Sequence, residues 1–329
     1  VRIFHGIVEI AGQMGILSGA FKRKGYLSVG YNIFHTYLGY QEHLINTVWT
    51  EIQNTHRHIL NFFDLFHFHY ASSILPNYAD LPLLKERGKK MIMHFWGNDV
   101  RFHGQARINN PYVYTGDSPP DEVIHARLAE VSRYLDEAIV QDYEVYAYVA
   151  PFFKKVHVVP IAIDLNRFDP HYPSVAQSCP LILHAPTNPE FKGTAIVESV
   201  LAQLQRTHSF RYRRIEGMNH EEATKLYREA DLIIDQVRCG SYGLLSVESM
   251  ALGKPVVCYI RSDLVGTFPP GLPIVNANPD TLYEQVKMLL EQPELRHQLG
   301  MAGRRYVENV HASDLVAAKL LQIYQEMQA

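Results

Sequence analysis

Two stretches of this chain place polar groups where a short strand gives way to a helix. In "LILHAPTNPEFKGTAIVESVLAQL", Lys192-Gly193-Thr194 stands where the helical pattern begins. A lysine beside free backbone N–H groups at a helix start suits a phosphate. A solvated loop lysine before a threonine cap fits the same letters, and the P-loop spacing is absent. In "DLIIDQVRCGSYGLLSVESMAL", Gly240 and Gly243 let the backbone approach a ligand. Glu248 follows five residues later, inside the next helix. A carboxylate near the carboxyl end of a parallel sheet suits two vicinal hydroxyls, as of a ribose. A glutamate facing water or paired with an arginine is the plainer alternative.

The first half offers less specific chemistry. His94 ends an apolar strand in "MIMHFWGNDVR", where an imidazole suits hydrogen bonding or proton transfer near neutral pH. A histidine satisfied by a nearby carbonyl reads equally well there. Asp99 and Arg101 follow, either touching a substrate, orienting the loop or forming an internal ion pair. His67 and His69 share one face of a strand, but the sequence shows no third ligand at zinc-like spacing, so no metal site is expected. The loop 103–121 is long, polar and rich in Pro and Gly, which makes it a candidate for acceptor contacts.

These residues need a scaffold. With 329 residues, 47% of them apolar, the chain has material for two cores. Its net charge of −3 gives no electrostatic reason to expect nucleic acid. No apolar run reaches the roughly 20 residues of a membrane-spanning helix. The N-terminus reads as a first strand rather than a signal peptide, and three scattered cysteines point to a reducing compartment. The expected strands are Val1–Phe4, Leu65–Phe68, Lys90–Phe95, Glu137–Val140 and Val156–Val159, then Pro180–His184, Phe210–Glu216, Leu232–Gln236, Lys254–Tyr259 and Leu272–Val275. Helical patterns lie between many of them, which is the signature of βαβ units around parallel sheets. "VVPIAIDLNRFDPHYPSVAQSCP" interrupts the alternation and marks a boundary. The expectation is an α/β protein of two Rossmann-like doubly wound domains facing a cleft, spanning 1–163 and 164–312. The final helical segment, 313–329, with Leu315, Leu320, Leu321 and Tyr324 at helical spacing, packs back on the first domain.

Several ordered motifs in the second half resemble one family. "GSYGLLSVESMALGKPVV" is similar to the E-G-F-G-x-x-x-x-E-A-M-A-x-G-x-P-V motif of GT-B-fold, retaining glycosyltransferases of family 4. "HEEATKLYREADLIIDQ", "HVVPIAIDLNRFDP" and "EQPELRHQLGMAGRRYVENVHAS" resemble further segments of that family, so the likeness covers about residues 156–312. "IAGQMGILSGAFKRKGY" and "MIMHFWGNDVR" resemble its first half more loosely.

The resemblance implies roles. Glu248 binds the ribose hydroxyls, and Gly240, Ser241, Tyr242, Gly243 and Leu244 form the loop that meets donor sugar and diphosphate. Lys192 neutralises the diphosphate, and Gly217 and Met218 grip the base through their backbone. In the first domain, Gly12 approaches the distal phosphate and His94 reaches the sugar; Asp99 and Arg101, which follow that strand, are acceptor candidates by their position alone. Two positions depart from the family: Gly240 replaces a glutamate, and Thr187 replaces an arginine. The implied reaction is transfer of a hexose, with UDP-glucose as the expected donor, to a glycan or lipid-linked acceptor, with retention and without metal or cofactor. A nucleotide-sugar epimerase or an inactive binder of the same fold is the alternative. The dinucleotide oxidoreductase fingerprint is not met. The expected location is cytoplasmic; the basic patches "FKRKGY" and "KERGKK" read either as peripheral contacts to the inner membrane face or as solvated faces.

Overall fold

A computed structural model describes residues 1–327. The chain divides into two units: one holds Val1–His103, Ser118–Ala162 and the segment from Ser313 on, the other Gly104–Asp117 and Ile163–Ala312.

The first unit is built on a parallel seven-stranded sheet. Its strands are β1 (Arg2–Ile7), β2 (Leu27–Asn32), β3 (Leu44–Asn46), β4 (Leu65–His69), β5 (Lys90–Phe95), β6 (Glu137–Val140) and β7 (Lys155–Val158), in the order β3-β2-β1-β4-β5-β6-β7. Helices α1 (Gln13–Arg23), α2 (Trp49–Phe62), α3 (Asp80–Glu86), α5 (Asp121–Val131) and α6 (Tyr143–Val149) belong to it, while α4 (His103–Asn109) follows β5 in the chain but lies almost wholly in the second unit. The central strands β4 and β5 are buried along nearly their whole length, as strands covered on both faces must be.

The second unit has a parallel five-stranded sheet, β8 (Leu181–His184), β9 (Arg211–Arg214), β10 (Leu232–Ile234), β11 (Val256–Cys258) and β12 (Val275–Asn276), ordered β12-β11-β10-β8-β9. Around it lie α7 (Pro189–Lys192), α8 (Thr194–Leu204), α9 (His220–Tyr227), α10 (Leu244–Ala251), α11 (Leu282–Glu291) and α12 (Pro293–Val310). Successive strand residues divide between two cores. Leu183, Ile233 and Val256 join Val247, Met250 and Val307 on one face, and Ile182, Ile234 and Val257 join Val197, Leu201 and Leu289 on the other. That split follows from the period-two alternation of strand side chains.

The last helix, α13 (Ser313–Glu326), belongs to the first unit, where Val316, Ala317, Leu320, Ile323 and Tyr324 pack with Ile3, Leu17, Phe21, Leu65 and Ile92. Leu315, expected on the buried face, is 51% exposed. It lies five residues before Leu320, about 140° around a helix of 3.6 residues per turn. Two strands, β2 and β3, add to the expected set; β3 has three residues, too few to show a period. The loop at 103–121 contains α4, and its residues 104–117 group with the second unit rather than with the first half of the chain.

Glycines on α12 set how closely α10 approaches it. A Cβ at Gly300 would stand 2.2 Å from the Gly253 carbonyl oxygen, and one at Gly303 would stand 3.0 Å from Cγ of Met250. The first of these is backbone and cannot turn aside. Gly300→Ala is therefore expected to destabilise the protein by about 1–3 kcal/mol through overpacking, despite alanine's better helix propensity. A lowered urea midpoint measures this, and an unchanged or raised one contradicts the close packing.

Candidate functional site

The second unit gathers most of its sequence-singled residues at the carboxyl ends of its strands. Lys192 ends α7, the short helix that follows β8, and Asn188 caps that helix through bonds from the Glu190 and Phe191 amides. The Lys192 side chain turns inward. Its Nζ donates to Oδ1 of Asp235 at 2.6 Å and to Oε1 of Gln236 at 2.9 Å, just past the end of β10. Ser246 Oγ, in the first turn of α10, donates to the other Asp235 oxygen at 2.6 Å. Burial alone would push the Asp235 carboxyl up, but Lys192 and Ser246 outweigh it and hold it below the ordinary range. The amide of Gln236 also donates to the Ser241 carbonyl. One buried polar knot thus joins Lys192, the loop 236–243 and the start of α10.

The N-terminal turn of α10 has neither a side-chain cap nor an acidic residue. Its first N–H groups, preceded by Ser241, Tyr242 and Gly243, are suited to an anion. The Tyr242 side chain points away into the core, its hydroxyl 3.1 Å from Nε2 of His311. Glu248 is buried on α10, and its Oε1 lies 2.5 Å from Nε2 of His220, the first residue of α9. Burial opposes a charge on His220, but the Glu248 carboxylate prevails and raises its pKa above 6.5. Glu248 is thus paired with a histidine rather than an arginine. Gly217, at φ +63° with open space around it, and Met218, packed against the core, lead directly into α9. His220 ties this segment to Glu248. Sequence reading missed Asp235, Gln236 and His220; "IIDQV" and "NHEE" show polar residues at a strand end and a helix start, the positions at which ligand groups cluster.

Gly240 has a physical reason to be glycine. Its φ is +89°, and a Cβ there would stand 3.1 Å from Cγ of Arg261 and 3.2 Å from Nδ2 of Asn110. The arginine stem fills the space into which a side chain at 240 would grow. Asn110 itself donates to the carbonyls of Arg238 and Cys239 at 2.8 and 2.9 Å, so the 104–117 segment braces this loop. His184 is committed to the Ile234 carbonyl at 2.8 Å and to Thr194 Oγ1 at 2.9 Å. Arg238 lines a cavity of about 160 Å³ with Gly193, Thr194 and Arg214 at the start of α8. It places a cation near the segment that contains Thr187.

In the first unit, Gly12 is the residue before α1, at φ +74° and against the Tyr40 ring. The amides of Met14 and Gly15 donate to the Glu9 carboxylate at 3.2 and 3.1 Å. An internal carboxylate therefore occupies the helix start that the sequence suggested for a phosphate. Burial pushes the Glu9 carboxyl up to about 8, against the pull of these backbone bonds. Asp99 accepts from the Trp96 and Gly97 amides at 3.0 and 2.8 Å and so shapes its own turn. Burial raises it to about 6. Arg101 makes a two-pronged ion pair with Glu144, both contacts at 2.8 Å and both side chains buried. The geometry thus gives both residues structural partners.

His94, 1% exposed at the end of β5, belongs to a cluster with His5, His67 and His69 on one face of β1, β4 and β5. His5 Nδ1 lies 3.2 Å from His69 Nε2, and His67 Nε2 lies 3.2 Å from His94 Nδ1. Trp96 Nε1 donates to His69 Nδ1 at 3.3 Å, and His67 Nδ1 lies 2.5 Å from the Tyr324 hydroxyl. His5 supplies the third imidazole that the sequence did not show: the ring nitrogens of His5, His67 and His69 lie within 4.8 Å of one another. Burial keeps all four rings neutral. Among the described residues no helix is long and apolar enough to cross a membrane. In the basic stretches, Arg23 pairs with Asp314 and Lys90 donates to the Tyr324 carbonyl.

Residues 190–322 match the glycosyl transferase-like family. No curated protein matches the sequence. Solved structures share the fold over the whole chain. Sucrose-phosphate synthase from Thermosynechococcus elongatus superposes with a TM-score of 0.68 at 15% identity, covering 99% of each chain. A glycosyltransferase from Rickettsia africae gives 0.66 at 15% identity, covering 99% of this chain and 98% of its own. Anabaena HepE in complex with UDP-glucose gives 0.66 at 11% identity, covering 99% and 100%. The fold is GT-B, and the glycosyl transferase-like match lies within its second half.

Two consequences follow for the buried charges. Removing one partner of the Lys192–Asp235 pair strands the other, so Asp235→Ala is expected to cost about 3–5 kcal/mol. The double variant Lys192→Met/Asp235→Leu should cost far less, and urea unfolding of the set measures the coupling. Burial holds the Glu9 carboxyl at about 8, against an ordinary value of 4.5. The stability it confers is complete below the lower value and is lost as pH rises through the upper one. Glu9→Gln should therefore gain in Tm on the wild type between pH 5 and pH 8; a flat difference would mean that the carboxylate is ionised where it lies.

Proposed function

We propose that the chain transfers a hexose from UDP-glucose, with retention, to a hydroxyl of a glycan or lipid-linked saccharide. The observation that carries this reading is the pairing of Glu248 with the uncapped start of α10 on one helix. A carboxylate suited to vicinal hydroxyls and a row of amides suited to phosphate stand at the two ends of a short segment, as a nucleoside diphosphate requires. The glycosyl transferase-like match spans this segment, and HepE, of the same fold, was solved with UDP-glucose and with UDP.

In the reaction, the bond from the anomeric carbon to the diphosphate oxygen breaks, the acceptor oxygen bonds on the same face, and the acceptor's hydroxyl proton passes to the departing diphosphate oxygen. Negative charge builds on the leaving phosphate. Lys192 comes paired with Asp235, so the pair brings little net charge to that phosphate. The α10 amides and helix dipole carry the larger share of the stabilisation. No metal or cofactor enters this scheme.

A second reading has its own support. The Arg261 stem fills the place of a side chain at 240, where the resembling family has a glutamate near the donor sugar. A binder of nucleotide sugars that does not transfer, or an epimerase, would fit that loss. Calorimetry with UDP and UDP-glucose and an assay of UDP release separate the readings. Binding with acceptor-dependent release supports transfer, binding alone supports the second reading, and neither rejects both. Glu248→Ala should weaken UDP about 10- to 100-fold, the worth of a charged hydrogen bond to hydroxyls; unchanged affinity would assign the carboxylate elsewhere.

A further inference from the structure

The four buried histidines form two hydrogen-bonded relays whose directions can be worked out. The first is Trp96–His69–His5. An indole N–H only donates, so His69 Nδ1 accepts. A neutral His69 then carries its proton on Nε2 and gives it to His5 Nδ1. His5 in turn carries its proton on Nε2, which is buried without a partner among the described residues. With both nitrogens of His69 so committed, the ring offers no free lone pair, and the trio is arranged for hydrogen bonding rather than for a metal ion.

The second relay is Tyr324–His67–His94. Two directions are available. If the Tyr324 hydroxyl donates to His67 Nδ1, His67 donates from Nε2 to His94 Nδ1, and His94 is protonated at Nε2. One buried group, His94 Nε2, then lacks a partner. If the relay runs the other way, His94 Nε2 is a bare lone pair without a donor. The Tyr324 proton also lacks an acceptor, since His67 is the hydroxyl's hydrogen-bond partner among the described residues. Two buried groups are then unsatisfied instead of one. The extra orphan favours the first direction by a factor of about ten or more. The Trp96 ring, 3.8 Å from the His94 ring centre and nearly parallel to it, holds the imidazole plane.

We propose that Tyr324 and His67 are positioning residues that fix His94 as its Nε2–H tautomer, so that a ligand group reaching the end of β5 meets an uncharged hydrogen-bond donor and not a proton acceptor. The tautomer rests on the hydrogen-bond geometry alone. The C-terminal helix α13 thereby sets the chemistry at the end of β5.

Nitrogen-15 NMR of the histidine rings tests the tautomer without any substrate. The His94 signals are assigned by their loss in His94→Gln. In the wild type, His94 should show a protonated Nε2 and a bare Nδ1. Tyr324→Phe removes only the hydroxyl and leaves two unsatisfied groups in either direction, so the two tautomers should become comparably populated. His67→Gln, whose carbonyl accepts from Tyr324 and whose amide donates to His94, should restore the wild-type pattern. A wild-type His94 protonated at Nδ1, or ring shifts unmoved in Tyr324→Phe, overturns the proposal.

Discussion

A lysine on the short helix after β8 and an aspartate just past the end of β10 are buried against each other, and the second unit is organised around that pair. Lys192 arrives from the segment after β8 and Asp235 from the end of β10. Neither could stay charged in this interior alone, because desolvation of an unpaired ion costs several kcal/mol. Ser246 supplies a further donor to the carboxylate and Gln236 a further acceptor to the ammonium. Satisfying these groups fixes the loop from 236 to 243 against the start of α10. The uncapped amides of that helix and Glu248, one turn further on, gain their places from the same knot.

Much of this was legible in the letters, for identifiable reasons. Buried parallel strands are continuous apolar runs, and β5 and β6 are found where "KMIMHF" and "EAIV" placed them. The glycine loop before α10 stood out because Gly240 and Gly243 punctuate an otherwise apolar stretch. What escaped was set by partners far apart in sequence. His5 joins His67 and His69 only because β1 and β4 are sheet neighbours, in a register that sets His5 opposite His67. Glu9 reads as one more polar residue after a strand, and its seat on the α1 amides depends on the turn at Gly12. Arg101 and Glu144 are 43 residues apart, and nothing local in either stretch signals their pairing. The side chain at 240 is excluded by Arg261 and Asn110, from two other loops.

Three of the groups the sequence offered to a ligand already hold an internal partner. Lys192 holds Asp235, the α1 amides hold Glu9, and Glu248 holds His220. A diphosphate or a ribose at these places would exchange one set of hydrogen bonds for another instead of filling open positions. Such an exchange returns less free energy than the new bonds alone suggest, because the displaced partner must find its own satisfaction. It also makes selectivity steeper, since a ligand short of one acceptor leaves a buried donor stranded. The three cases differ in what the displaced partner can do. His220 is only partly buried, so water can take over from Glu248. Asp235 is sealed, so Lys192 is better placed to hold the strand ends together than to swing toward a phosphate. Glu9 is intermediate, because taking up a proton removes the charge that an incoming phosphate would meet, and its raised pKa makes that step easy near neutral pH.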